Sequence, residues 1–570
     1  MDLKIEKNLQ VTMRDGVKLA TDVYRPDGTS SLPVILMRLP YNKEIPLLLF
    51  LSGDILRIAQ AGFAVVVQDC RGTFKSEGEF DPYFQEAEDG ADAIAWAAKQ
   101  KWSDGNVGMM GASYYGATQW LAACENPSAL KAIAPFITTD QYYDMWTYQG
   151  GAFQLGFMLQ WSTATFGIGE VSRRLQRGEA NGEQFSEAVA SADKVSDRYW
   201  HLPIADQPHL TDLTPYYSEW VAHPDYDDYW RQSAPRERYD SINVPALNFG
   251  GWYDLFLGGT LANYRNLKNR LEQRLIVGPW SHGYNGAVYP DRDFGMRASD
   301  NGADVTSEQI RWFNRWLKKE DTKPEPQVKL FIMGPDVWRE ESDWPLPDTT
   351  WQKFYLHSNG DAAANTGKID LNPPEKESAD VFRYDPADPA PTVGGASFLP
   401  GLFIGANAGP RDQRIVESRE DVLCYSTASL ESDTEVTGPV RLILYVRSSA
   451  LDTDFTGKLV DVYPDGRAII LTDGILRARY RDSFSSPQLL TPGRVYQLEI
   501  DLVATANVFA SGHRIRLEIS SSNFPRFDRN TNSGGIIAHE AEDDFIIATN
   551  EILHDNEHPS HLVLPVIERG

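Results

Sequence analysis

Short apolar runs and helical periods alternate through the first quarter of the chain. Pro33–Met37, Ala64–Gln68, Gly108–Met110 and Leu130–Ile137 read as short apolar strands, and Glu86–Lys99 between them carries a helical period. Strands that are apolar on both faces and separated by helices are what parallel β-α-β units require, because helices cover both sides of such a sheet. From about Asp140 to Arg236 the pattern changes. Trp, Tyr, Phe and Met recur at helical spacing, Ala and Glu are frequent, and strand signals are scarce. This predicts helices inserted between two halves of one sheet. The alternation then resumes with a strand ending at Asp254, a helix Gly259–Leu267, a strand ending at His282, a helix Ser307–Lys319 and a strand Val328–Met333. Beyond about Trp338 no long helical period occurs. Short alternating runs such as Val440–Val446 and Arg514–Ile519, set apart by Asp, Gly, Pro and Ser, predict an antiparallel sandwich. The expected organisation is an α/β segment 1–139, a helical cap 140–236, a second α/β segment 237–337 and a β-domain 338–570.

The most informative position is Ser113, in the run Gly111-Ala112-Ser113-Tyr114-Tyr115-Gly116 between an apolar strand and the helical stretch Ala117–Cys124. A strand that turns at once into a helix holds its corner residue in a strained conformation and pushes the side chain out to solvent. The helix N-terminus faces the same point, and its free N–H groups suit it to stabilise an oxyanion. The general pattern G-x-S-x-G would place the second glycine at Tyr115, whereas here it is Gly116. A serine nucleophile needs a histidine base, and the base needs a carboxylate. In α/β-hydrolases these follow in the order Ser, acid, His. Val244–Asp254 reads as a buried strand running into a glycine turn with Asp254 at its end, and Arg274–Gly283 repeats the design with His282 at the tip. Strand C-termini of a parallel sheet line one crevice, so Ser113, Asp254 and His282 are expected to converge.

Further motifs accompany the serine: Met13–Leu19, Arg38–Tyr41, Gln68–Gly72, Ser76–Gly78, Asp104–Gly108, Lys458–Val462 and Leu471–Arg477. With Gly111-x-Ser113-Tyr114-x-Gly116 they resemble, over nearly the whole chain, the cocaine esterase-like branch of the X-prolyl dipeptidyl peptidase and acyl-ester hydrolase superfamily. In that group the glycine at the third position after the serine is the usual variant. The resemblance implies an α/β-hydrolase fold with an inserted helical cap and a C-terminal β jelly-roll domain. It further implies an oxyanion hole made by the Tyr41 hydroxyl and the Tyr114 amide, and an acyl pocket containing Trp146, Trp161 and Phe256. Asp140–Asp144 either lines the same cleft or starts a cap helix. Relatives that hydrolyse α-amino acid esters carry acidic residues two and three positions after the catalytic Asp. Here those positions are Phe256 and Leu257, so an ammonium would be buried without a counter-charge.

Composition narrows the rest. The 570 residues include 24% charged and 11% aromatic residues, which excludes a disordered or fibrous chain, and the net charge of −26 opposes binding to nucleic acid or anionic membranes. No run approaches the ~18 apolar residues of a membrane span, and the first residues lack a signal-peptide pattern. The three cysteines, Cys70, Cys124 and Cys424, have no C-x-x-C spacing, so disulfides are not expected and a cytoplasmic location fits. Cys70 precedes a structural turn at Arg71-Gly72 and is not read as a nucleophile. The clusters His539–Asp544 and His554–His558 lack H-E-x-x-H spacing and are expected to be solvated loops rather than a metal site.

The sequence therefore predicts a serine carboxylesterase that cleaves neutral aryl or short acyl esters through an acyl-enzyme. No cofactor or metal is expected, the only partner is a small-molecule ester, and a homodimer is allowed. The alternatives are an α-amino acid ester hydrolase or X-prolyl dipeptidyl peptidase, or a carbohydrate- or partner-binding protein without activity.

Overall fold

The computed structural model describes residues 2–28, 31–45, 53–208, 210–320, 325–399 and 407–569. Its α/β part is organised by one ten-stranded sheet. The strands are β1 (Leu3–Thr12), β2 (Lys18–Pro26), β3 (Leu32–Leu39), β4 (Ala64–Asp69), β5 (Ser103–Ala112), β6 (Leu130–Phe136), β7 (Ala246–Tyr253), β8 (Gln273–Ser281), β9 (Val328–Ile332) and β10 (Val337–Glu341). They lie in the order β1-β2-β4-β3-β5-β6-β7-β8-β9-β10. From β4 to β9 neighbouring strands are parallel, and β3, β4, β7 and β8 are buried at every position, as strands covered on both faces must be. The covering helices include α1 (Ile55–Gln60), α2 (Glu86–Ala98) and α3 (Tyr114–Cys124).

The strands that escape the sequence reading include β1 and β2. β1 and β2 form an antiparallel pair that joins β4 antiparallel. β1 is an edge strand whose ten positions are all exposed or partly exposed except Val11, so it has no apolar run to betray it. A register shift between Glu6 and Leu9 turns Asn8 inward, where its amide donates to Asp22 Oδ1 at 2.8 Å.

Helices fill the chain between β6 and β7, beginning at Leu155. They include α4 (Leu155–Gln160), a π-helical segment Trp161–Gly167, α5 (Ile168–Arg177), α6 (Gly182–Asp193) and α7 (Tyr216–Ala222). The stretch Asp140–Asp144, read from sequence as a cleft wall or a helix start, is neither. It is non-helical and leads to a hairpin pairing Tyr148–Gln149 with Ala152–Phe153. Asp140 is buried against Arg236 at 2.8 Å, and Asp144 accepts the Gly150 amide at 3.1 Å. The sheet resumes after this insertion with α8 (Leu257–Leu267) behind β7 and α9 (Val305–Leu317) after β8.

The C-terminal strands build a separate eleven-stranded sheet system. Its longest members, Thr434–Ser448 and Val495–Phe509, pair antiparallel along their length. It does not stand apart from the α/β part. Trp252 and Phe331 share one continuous apolar core with Leu442, Leu471 and Leu502, and the Tyr253 hydroxyl donates to the Ile470 carbonyl at 3.3 Å. No helix among the described residues is long and apolar enough to cross a membrane.

The reading of 554–558 as a solvated loop is corrected at its first residue. His539 is exposed, but His554 follows the strand Ala548–Leu553 into the interior. Its Nε2 lies 2.8 Å from Asp380 Oδ2 and its Nδ1 3.3 Å from Glu377 Oε2, while Ser358 and Tyr425 hydroxyls also donate to Asp380. The partners are distant in sequence, so local spacing gave no sign of them. Burial pulls the His554 pKa down, but the bond and charge of Asp380 with the charge of Glu377 outweigh it, and the pKa is raised. Folding then takes up a proton at His554. That stabilisation is complete below the unfolded pKa of ~6.5 and is lost as pH rises through the higher folded value. We expect His554→Ala to lower the unfolding free energy by about 3 kcal/mol at pH 6 and by clearly less at pH 9, measured by urea denaturation; a deficit equal at both pH values would refute the charged pair.

Candidate active site

β5 ends at Ala112 and α3 begins at Tyr114, leaving one residue to reverse the chain. Ser113 does so at φ 58° and ψ −122°. Its amide donates to the Phe136 carbonyl at 2.8 Å, and its carbonyl accepts the Gly116 and Ala117 amides at 2.8 and 3.0 Å. So tight a corner leaves no room for two Cβ atoms. At Gly111, φ is +143° and a Cβ would press on the Tyr115 side chain. At Gly116 a Cβ would stand 2.6 Å from Thr138 Cβ. The second glycine therefore belongs three positions after the serine. The helix crosses the end of β6 there, while Tyr115 packs back over Gly111.

The three strand ends meet. Ser113 Oγ is 3.0 Å from His282 Nε2, and His282 Nδ1 is 2.7 Å from Asp254 Oδ2. Asp254 is fixed in turn, because its Oδ1 accepts the Phe256 amide at 2.7 Å. Asp254 and His282 each follow the buried strand that carries them, although Gly250 and Gly251 lie inside β7 rather than in a turn after it.

Tyr41 sits just beyond β3, on the wall of the cavity above Ser113. Its Oη accepts a hydrogen bond from Trp161 Nε1 at 3.0 Å. Burial pushes its phenol well above the ordinary range, against the pull of Trp161 and Ser113, so the hydroxyl keeps its proton. The loop is held from behind by Lys43, whose buried Nζ reaches Asn8 Oδ1 at 2.6 Å, Asp22 Oδ1 at 3.4 Å and Asp69 Oδ2 at 3.6 Å. The Lys43 amide also donates to Asp69 Oδ1 at 2.8 Å. Burial pushes the Asp69 carboxyl up to about 6 despite Lys43. Tyr114 is the first residue of α3, so its amide is one of the helix-start donors without an intrahelical acceptor. Its side chain points away, donating to Glu86 Oε1 at 3.1 Å. The buried Cys70 thiol is pushed well above its usual value by burial, which leaves it inert.

A cavity of 490 Å³ opens over Ser113 and His282, walled by Tyr41, Tyr115, Phe157, Trp161 and Phe398 among others. Among the described wall residues there is no Asp, Glu, Lys or Arg. Of the three residues assigned to the acyl pocket, only Trp161 is on the wall. Trp146 and Phe256 are fully buried behind it, stacked at 4.0 Å, and Phe256 meets the His282 ring edge-on at 4.8 Å. They brace the base and Trp161 instead of facing the cavity. Sequence reasoning missed Phe157 and Phe398. Phe157 precedes Trp161 by one helical turn, a spacing that could have revealed it. Phe398 comes from the C-terminal part, with its ring 5.3 Å from His282, and nothing in its local sequence signals this.

A serine at a strand-to-helix corner of an α/β-hydrolase sheet, with a histidine and a carboxylate in line, defines a serine hydrolase. Residues 15–284 match the X-Pro dipeptidyl-peptidase (S15 family), and residues 320–563 match the X-Pro dipeptidyl-peptidase C-terminal non-catalytic domain. Over 572 residues the chain is 44% identical to cocaine esterase of Rhodococcus sp. (strain MB1 Bresler), covering 99% of both proteins. Among solved structures it is similar to an aminopeptidase from the marine sediment archaeon Thaumarchaeota archaeon, with a TM-score of 0.83, 26% identity and coverage of 100% of this chain and 97% of the other. It is also similar to an α-amino acid ester hydrolase, with a TM-score of 0.82, 25% identity and coverage of 99% and 97%. The chain belongs to the cocaine esterase-like hydrolases of the X-Pro dipeptidyl-peptidase family, and it is a serine hydrolase that acts on esters.

The crowding at the corner has a measurable cost. Gly116→Ala drives a methyl into Thr138 and should lower unfolding free energy by about 1–3 kcal/mol, the usual penalty for overpacking, with a parallel loss of kcat. A variant as stable and active as the parent would mean that the helix can shift freely at this point.

Proposed function

We propose that the protein hydrolyses neutral aryl or short acyl esters through an acyl-enzyme on Ser113. His282 takes the Ser113 proton as Oγ attacks the ester carbonyl, Asp254 holds the imidazole and stabilises its charged form, and the Tyr41 hydroxyl with the Tyr114 amide receives the oxyanion. Collapse of the tetrahedral intermediate expels the alcohol, protonated by His282. Water then repeats the sequence on the acyl group, returning a carboxylic acid and free Ser113. In this reading the helices before β7 act as a cap, the C-terminal strands as a jelly-roll domain, and no cofactor takes part. The observation that carries it is the Ser113–His282–Asp254 chain of hydrogen bonds at the floor of a cavity whose described wall is uncharged. A fluorophosphonate probe should label Ser113 alone, located by peptide mass spectrometry, and Ser113→Ala should abolish both labelling and turnover of p-nitrophenyl esters. Labelling elsewhere, or activity retained in the variant, would refute the assignment.

The likeness to an α-amino acid ester hydrolase and to an aminopeptidase supports a second reading, in which the substrate carries an ammonium group. The wall weighs against it. Its described residues include no carboxylate, and Asp140 and Asp144 are engaged elsewhere and do not reach the cavity. An ammonium placed there loses its water without gaining a partner. Phenylacetate methyl ester and phenylglycine methyl ester differ only in that group. We expect kcat/KM to favour the phenylacetate ester by at least about tenfold, a difference of ~1.4 kcal/mol, at physiological ionic strength; preference for the amino ester would establish the second reading.

A further inference from the structure

We infer that Trp161 is a positioning residue for the oxyanion hole: its indole N–H occupies the acceptor side of the Tyr41 hydroxyl and so leaves the phenolic proton directed at the Ser113 side. This rests on the proposed role of Tyr41 as an oxyanion donor. The argument begins with the inventory of hydrogen-bonding groups. A phenol has one O–H donor and also accepts, whereas an indole N–H can only donate. The contact between Trp161 Nε1 and Tyr41 Oη, at 3.0 Å, can therefore have one sense only. Conjugation with the ring keeps the phenolic O–H near the ring plane, which allows it two orientations. A donor aimed at one side of Oη excludes the proton from that side, and the free tyrosine's choice between two directions becomes a single one.

The remaining direction is useful because Ser113 is the polar neighbour on the other side. Tyr41 and Ser113 line the same cavity, and the ring neighbours of the tyrosine, Tyr115 at 5.5 Å and Phe166 at 6.1 Å, are aromatic. Accepting a hydrogen bond also polarises the O–H and makes it a better donor to developing negative charge. Trp161 supplies this without reorganisation, because it is itself immobilised. It is 3% exposed, its indole lies parallel to Trp220 at 5.7 Å and stacks on Phe157 at 5.4 Å, and Phe166 closes a further side at 4.6 Å. The π-helical segment opens at this residue. Such segments are rare and recur at functional sites. A residue that only walls the cavity would need the ring but not the N–H.

The test is a double-mutant cycle on kcat for p-nitrophenyl acetate. Tyr41→Phe alone should lower kcat about 10²-fold to 10³-fold, as for other single oxyanion donors. Trp161→Phe should lower kcat roughly fivefold to tenfold in the parent, with little change in KM, and by less than about twofold in the Tyr41→Phe background. The inhibition constant of phenylboronic acid, which forms a tetrahedral adduct on the serine, should weaken in step with kcat. An equal loss from Trp161→Phe in both backgrounds would assign Trp161 to the wall and overturn the inference while leaving Tyr41 in place. If Tyr41→Phe has no effect, the oxyanion reading itself fails and the inference falls with it. Should Trp161→Phe disturb packing, site-specific replacement of Trp161 by 3-benzothienylalanine keeps the bicyclic shape and removes only the N–H, so the same comparison decides.

Discussion

Everything at this site follows from reversing the chain within one residue at Ser113. The reversal forces a backbone conformation that L-amino acids disfavour, and it persists only because the surroundings determine it completely. The Ser113 amide and carbonyl are both bonded, the flanking glycines admit Tyr115 and Thr138, and the sheet beneath is buried on both faces. In return the hydroxyl reaches His282 Nε2 at the start of α3, where the proposed oxyanion donor, the Tyr114 amide, also lies. Moving the serine one position either way would place it within a strand or within a helix turn, where neither condition holds.

The other groups are brought to that point by different means. Asp254 and His282 ride on strand ends and inherit their positions from sheet register. Tyr41 rides on a loop, which needs its own anchor, and the buried Lys43 beside Asp22 and Asp69 provides it. Beyond Tyr41, the aromatic wall draws on further separate regions of the chain. Phe157 and Trp161 come from the helical insertion, Tyr115 from α3 and Phe398 from the C-terminal part. Since the α/β and C-terminal parts also share one apolar core, cavity and fold are stabilised by the same packing.

How much of this could be read in advance depended on the range of the interaction. Strands of the parallel sheet declared themselves through unbroken apolar runs, and Ser113, Asp254 and His282 through their places at strand ends. β1 was invisible because an edge strand has little to bury. The inward turn of His554 was invisible because its partners are more than a hundred residues away, in Asp380 and Glu377. Trp146 and Phe256 looked like wall residues because aromatic spacing on a helix or after a strand tells that a ring is buried, not whether it faces a void or another ring. The contact of Trp161 with Tyr41 joins residues 120 positions apart and has no sequence signature at all.

The uncharged wall also bears on what happens after bond cleavage. An ester enters without charge, but its acid product ionises to a carboxylate at neutral pH. The described wall holds no cation to receive that anion, and the chain around it carries a net charge of −26. A carboxylate stripped of water in such surroundings is unstable by several kcal/mol. For the neutral esters proposed as substrates, the chemistry would thus turn a molecule suited to the cavity into one whose release its electrostatics favours.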